Sequence, residues 1–160
     1  MMLPCYYLRD LKVIKMNRLE RIHLLSRPDM LKPLRKFVRT LAKKNDCCDE
    51  SIDCFVMAIN EACMNVMQHA YNEKTDEEII IEFWKDNKDM LIKVYDFSEA
   101  VNIENIKSRD LEDIRPGGLG VHLINQSMDC VEYKHISNEK GNVLEMRKSL
   151  DKTIVCPNNN

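Results

Sequence analysis

The chain has 160 residues, 44% hydrophobic and 31% charged, with a formal net charge of −2. Those figures exclude collagen-like and low-complexity chains and suit a single globular domain with a real core. With no basic field and only 6% aromatic residues, neither direct nucleic-acid binding nor attachment to an anionic membrane is expected.

Seven cysteines and four histidines are scattered without a CxxC pair, so no zinc site is expected. Free thiols in a chain of this size fit a reducing cytoplasm. The first sixteen residues lack the apolar stretch of a signal peptide, and no run of 18 apolar residues occurs anywhere. A cytoplasmic protein without a membrane segment is the expectation. Met16 would also serve as a start, and residues 1–17 are expected to form a disordered tail.

In chain order, Arg21–Leu25 reads as a short strand ended by Ser26, Arg27 and Pro28. From Asp29 the pattern turns helical. Met30, Leu34, Phe37, Val38 and Leu41 share one face, and Lys43 and Lys44 suit the negative end of the helix dipole. Asp49 is placed to cap a second helix running to about Ala70. Glu78–Trp84 and Met90–Tyr95 flank a polar turn and predict a β-hairpin. Residues 98–116 form a polar stretch longer than an ordinary loop, and such loops are usually functional. A helix over Gly118–Met128 and strands over Cys130–Ile136 and Val143–Leu150 complete one α+β domain, followed by a disordered tail over 151–160.

Three features carry chemistry. On the second helix, Ile52, Phe55, Val56, Ile59, Cys63 and Val66 form an apolar stripe that must face the sheet. Off that stripe Glu61 and Asn65 stand one turn apart, next to Cys54, Met57, Ala58, Ala62 and Met64. A solvated helix edge explains the pair; so does a polar pair lining a cavity, where a carboxylate and a carboxamide hold a hydroxyl beside magnesium. Next, Asp96 ends an apolar strand, either as a turn former or as an acceptor for a ligand amino group. Finally, the chain has only four glycines, and Gly117, Gly118 and Gly120 crowd into one short stretch at the start of a helix. That is neither GxxxxGK[ST] nor GxGxxG after a strand. It reads as an anion cradle at a helix N-terminus, against the plainer reading of a loop-to-helix joint.

The ordered series Glu61-Ala-Cys-Met-Asn65-Val-Met-Gln-His69-Ala70-Tyr71, then Val94-Tyr-Asp96-Phe-Ser98, then Arg115-Pro-Gly117-Gly118-Leu-Gly120 resembles the GHKL ATP-binding family. More narrowly it resembles the small anti-sigma-factor serine/threonine kinases. Met128-Asp129 and Gly141-Asn142-Val143-Leu144 extend the similarity to nearly the whole of residues 18–150. The resemblance implies a two-layer α/β sandwich with a mixed, mostly antiparallel sheet covered by helices on one face. It implies ATP and Mg2+ as cofactors: Glu61 as general base on the attacking hydroxyl, Asn65 on the magnesium, and Asp96 on the adenine amino group. Gly117, Gly118 and Gly120 would form the phosphate-contacting part of a lid, with Arg115 reaching phosphate. As partners it implies a sigma factor and a STAS-type anti-anti-sigma protein that receives the phosphate, and it leaves room for a homodimer. At the position where the family usually keeps glycine this chain has Ser98, whose Cβ and hydroxyl bear on nucleotide binding.

Two other readings are open at this level. A non-catalytic module of the same fold would act by sequestering a partner, and Ser98 favours it. The catalytic domain of a histidine kinase would need a phospho-accepting helical hairpin, which nothing in the sequence resembles.

Overall fold

The computed structural model describes residues 15–99, 119–136 and 140–150. Strand β1 (Asn17–Leu25) leads through a 3-10 turn into helices α1 (Leu31–Lys44) and α2 (Asp49–Asn65). The hairpin β2 (Glu78–Lys85) and β3 (Asp89–Asp96) follows, then helix α3 (Leu119–Ser127) and strands β4 (Cys130–His135) and β5 (Asn142–Ser149). The sheet order is β1-β2-β3-β5-β4. Every pairing among the described strands is antiparallel, so the sheet has no parallel component there. The predicted elements are all present, with β1 extended four residues towards the N-terminus of the expected Arg21. Residues 1–14 and 151–160, where tails were expected, and most of the long segment before α3 lie outside the described residues.

Alternation along the central strands builds the core. Ile79, Ile81 and Phe83 of β2, Ile92 and Val94 of β3, and Met146 of β5 are buried together with Val38, Phe55, Ile59 and Ile124 of the helices. In α1 the buried row is Leu31, Leu34, Val38 and Ala42, with Met30, Phe37 and Leu41 packed at its edge. Helix α2 is buried more widely than its apolar stripe predicts. Ala58 and Ala62, expected off the stripe, have essentially no exposure, because α3 packs on that side of α2. Small side chains there let the two helices approach.

The helix expected to run unbroken to Ala70 changes character at Asn65: residues Val66–Ala70 form one π turn, with Tyr71 N–H donating to Val66 O at 2.9 Å. Such turns interrupt the regular hydrogen bonding of the helix and are frequent at functional sites. This one delivers Tyr71 to the sheet. Its buried hydroxyl donates to Glu78 O at 2.5 Å and accepts from Phe97 N–H at 2.8 Å, and burial pushes the phenol up to about 12. One side chain thereby ties the end of α2 to the start of β2 and the exit of β3. At the other end of α2, Cys48 rather than Asp49 is the N-cap residue, its thiol donating to Ser51 Oγ at 3.2 Å. Asp49 instead lies in the first turn, where its charge complements the helix dipole.

Cys47, Cys48 and Cys63 are free thiols, but Cys130 is disulfide-bonded, so the expectation of free thiols throughout does not hold. Among the described residues no helix is long and apolar enough to cross a membrane.

The sheet face away from the core carries charge. Buried Glu82 accepts from Trp84 Nε1 and Tyr95 Oη and pairs with Arg18 and Arg21. Glu145 lies between Lys93 at 2.8 Å and Lys134. Burial works against the Glu145 charge, yet the two ammonium groups override it and hold the carboxyl below its ordinary value of 4.5. A carboxyl depressed on folding adds stability above its unfolded pKa and loses it as pH falls through the folded one. Glu145→Gln is therefore expected to cost about 1 kcal/mol at pH 7. Thermal melts should show that deficit shrinking below pH 4.5 and closing in stronger acid.

Candidate nucleotide site

Two clusters of polar residues form on the helix-facing side of the sheet's end. The first is on α2. Glu61 and Asn65 lie one turn apart, both half-buried. Helix α3 crosses them at Gly120, where a Cβ would stand 3.0 Å from Glu61 Oε2 and 3.2 Å from Asn65 Oδ1. The glycine backbone is thus seated on the pair, and only a residue without a side chain leaves those oxygens undisturbed. Glu61 is also held from behind. Asn60 Nδ2 donates to Glu61 Oε1 at 3.4 Å, and the Asn60 oxygen accepts from Arg35 Nη1 of α1 at 2.7 Å.

The second cluster surrounds Asp96. Met90, Ile92, Val94 and Asp96 alternate along β3, so Asp96 continues the core-facing row at the strand's last position and is itself buried. Directly opposite on β5 stands Asn142, and opposite Asn142 on β4 stands His135. Asn142 Nδ2 donates to Asp96 Oδ1 at 3.0 Å, while its oxygen meets His135 Nδ1 at 3.0 Å. Ser98 adds two donors to the same carboxylate oxygen, its backbone N–H at 3.1 Å and its hydroxyl at 2.5 Å. Behind this row Gly141, at φ +133°, brings β5 against the exit of β3; a Cβ there would lie 2.4 Å from Asp96 O.

The π turn links the clusters, since it begins after Asn65 and ends at Tyr71, which bonds Phe97 beside Asp96. Between the turn and the exit of β3 opens a cleft of about 520 Å³, lined in part by His69, Tyr71, Lys74, Phe97, Ser98 and Lys140.

Of the residues singled out in the sequence, Gly120 lies against both Glu61 and Asn65, and Asp96 sits at the strand end expected for it. Arg115, Gly117 and Gly118 lie outside the described residues. Sequence reasoning gave no role to Asn142 or to the Tyr71 hydroxyl, and did not foresee the Ser98 hydroxyl bonding Asp96. The register Asp96 to Asn142 becomes visible only once β3 and β5 are known to pair. A glycine followed by a polar residue at the start of a strand was the available signal.

The chain carries an ATPase-type domain. The chain belongs to the histidine kinase-like ATPase domain family, whose profile matches residues 24–148. Within it the chain is similar to proteins named serine-protein kinase RsbW. The one from Halalkalibacterium halodurans is 30% identical over 114 residues, covering 66% of this chain and 67% of that protein. The one from Bacillus thuringiensis is 27% identical over 150 residues, covering 88% and 91%. The one from Oceanobacillus iheyensis is 34% identical over 107 residues, covering 62% and 66%. Among solved structures, that of the RsbU and RsbW domains of a Mycobacterium tuberculosis protein matches with a TM-score of 0.58 at 15% identity, over 82% of this chain and 32% of that one. The GHKL resemblance and the α+β fold read from the sequence are borne out.

Proposed function

We propose that this chain is an ATP-dependent protein serine/threonine kinase of the anti-sigma type, which binds a sigma factor and phosphorylates a serine on a small STAS-type antagonist. The observation that carries the reading is the seating of Gly120 on Glu61 and Asn65. It joins the first and third motifs of the family in space. The names of the RsbW relatives support the reaction class.

In this reading Glu61 takes the proton of the attacking serine hydroxyl, its carboxylate oriented by Asn60 and Arg35. Asp96 accepts a hydrogen bond from the adenine amino group. Asn65 would hold magnesium, which supplies charge neutralisation at the phosphates when bound. The donor set fits that ion. Asn65 offers one carboxamide oxygen, and magnesium takes few protein oxygens and keeps its waters. Phosphoryl transfer depends on placement and charge stabilisation, so the residues need only fix geometry. Residues 18–150 form the catalytic domain, and the lid glycines Gly117 and Gly118, with Arg115, complete the phosphate contacts.

The test is incubation with radiolabelled ATP and a STAS-type anti-anti-sigma protein. Label on the STAS protein is expected; its absence would leave a sequestering module. A variant separates site geometry from fold. Gly120→Ala gains helix propensity of up to about 1 kcal/mol but pushes a methyl against Glu61 and Asn65. Its melting temperature is expected to hold or rise, while phosphoryl transfer falls roughly tenfold or more.

A further inference from the structure

Asp96 has an unusual arrangement of hydrogen bonds. Three donors converge on Oδ1, namely Ser98 N–H, Ser98 Oγ–H and Asn142 Nδ2. No described residue donates to Oδ2. A carboxylate has about four acceptor positions, so one oxygen is consumed in anchoring and the other stays available to a ligand. Asn142 Nδ2 also reaches Ser98 Oγ at 3.1 Å and Glu99 O at 3.3 Å, closing the set into a ring. An ionised carboxylate only accepts, so the amide must turn its NH2 towards Asp96 and its oxygen towards His135. The orientation of Asn142 is therefore set by its neighbours on both flanking strands.

We propose that Ser98 and Asn142 are positioning residues that clamp the Asp96 carboxylate so that its second oxygen selects a purine bearing an exocyclic amino group over one bearing a carbonyl. In this chain the serine at the usual glycine position supports base recognition instead of obstructing it. The hydroxyl of Ser98 is turned onto Asp96 Oδ1, away from the unoccupied acceptor, and Ser98 also lines the adjoining cleft. The inference rests on the proposed nucleotide function and specifies how this chain discriminates its base.

The experiment is titration of Mg-ATP and Mg-ITP into the full chain and into Ser98→Ala, Ser98→Gly and Ser98→Thr. ITP has a carbonyl where ATP has the amino group, so it faces the carboxylate with an acceptor. The wild type is expected to prefer ATP. Ser98→Ala and Ser98→Gly are expected to bind ATP about three- to tenfold more weakly, a modest loss because the missing hydrogen bond positions the carboxylate and does not touch the nucleotide, with ITP changed little. The ATP-to-ITP ratio narrows accordingly, and Ser98→Thr, which keeps the hydroxyl, retains it. Tighter ATP binding by Ser98→Gly, or equal loss of both nucleotides in Ser98→Ala, would overturn the clamp while leaving the nucleotide function standing. A wild type that binds neither nucleotide would overturn the underlying function and the clamp with it.

Discussion

Glu61→Ala is expected to reduce phosphoryl transfer by about 10²- to 10⁴-fold, the usual contribution of a positioned general base, with ATP affinity changed only a few-fold. The separation follows from how Glu61 is held. Its Oε1 receives the Asn60 amide, which Arg35 fixes in turn, so removing Glu61 leaves the Asn60–Arg35 contact and the Asn65 side chain in place. The α2 backbone is anchored by Ala58, Ala62 and Cys63, all fully buried, and alanine is favourable in a helix. Initial rates at saturating ATP, together with a nucleotide titration, measure both quantities. Equal rates for the variant and the wild type would remove Glu61 from the chemistry. Arg35→Ala should give a weaker version of the same phenotype, because it frees Asn60 without touching the carboxylate.

Gly141→Ala is expected to destabilise the fold far more than Gly120→Ala, at about 3 kcal/mol or more. Its φ of +133° lies where side chains are strained, which alone costs about 1–3 kcal/mol. The added Cβ would also lie 2.4 Å from Asp96 O and 2.9 Å from Ile136 Cδ1. The first of these is backbone in a paired strand and cannot swing aside. Relief requires β5 to move away from β3 where Asp96 and Asn142 pair, so base recognition should fall along with stability. Thermal or urea unfolding should show a drop of roughly 10 °C in melting temperature. A drop of only a degree or two would mean that this strand start is pliable.

The contrast between these glycines shows what the sequence could convey. Clustering drew attention to Gly117, Gly118 and Gly120, and Gly120 does meet the two polar residues of α2. Gly141 stood apart from that cluster, although it has the tighter surroundings. Local pattern located every described strand and helix, because apolar periodicity is set by which face is buried. It could not see cross-strand partners. Asn142 became a ligand of Asp96 through register, and Tyr71 became a tie between three elements through a π turn that no periodicity announces. The buried Ala58 and Ala62 were similarly hidden, since small residues on a helix flank point to a second packing face only when the neighbouring helix is in place. The Ser98 departure from the family pattern was legible, but its direction was not; the hydrogen bond to Asp96 supplies that.

The most direct measurement is calorimetric titration of Mg-ATP into the wild-type chain and into Asp96→Asn, a variant of the same shape. The clusters described here predict saturable one-site binding in the wild type. They predict affinity at least tenfold weaker in the variant, whose carboxamide replaces one of the two acceptor oxygens by a donor. No heat in the wild type, or superimposable isotherms for the two proteins, would contradict a nucleotide site built around Asp96.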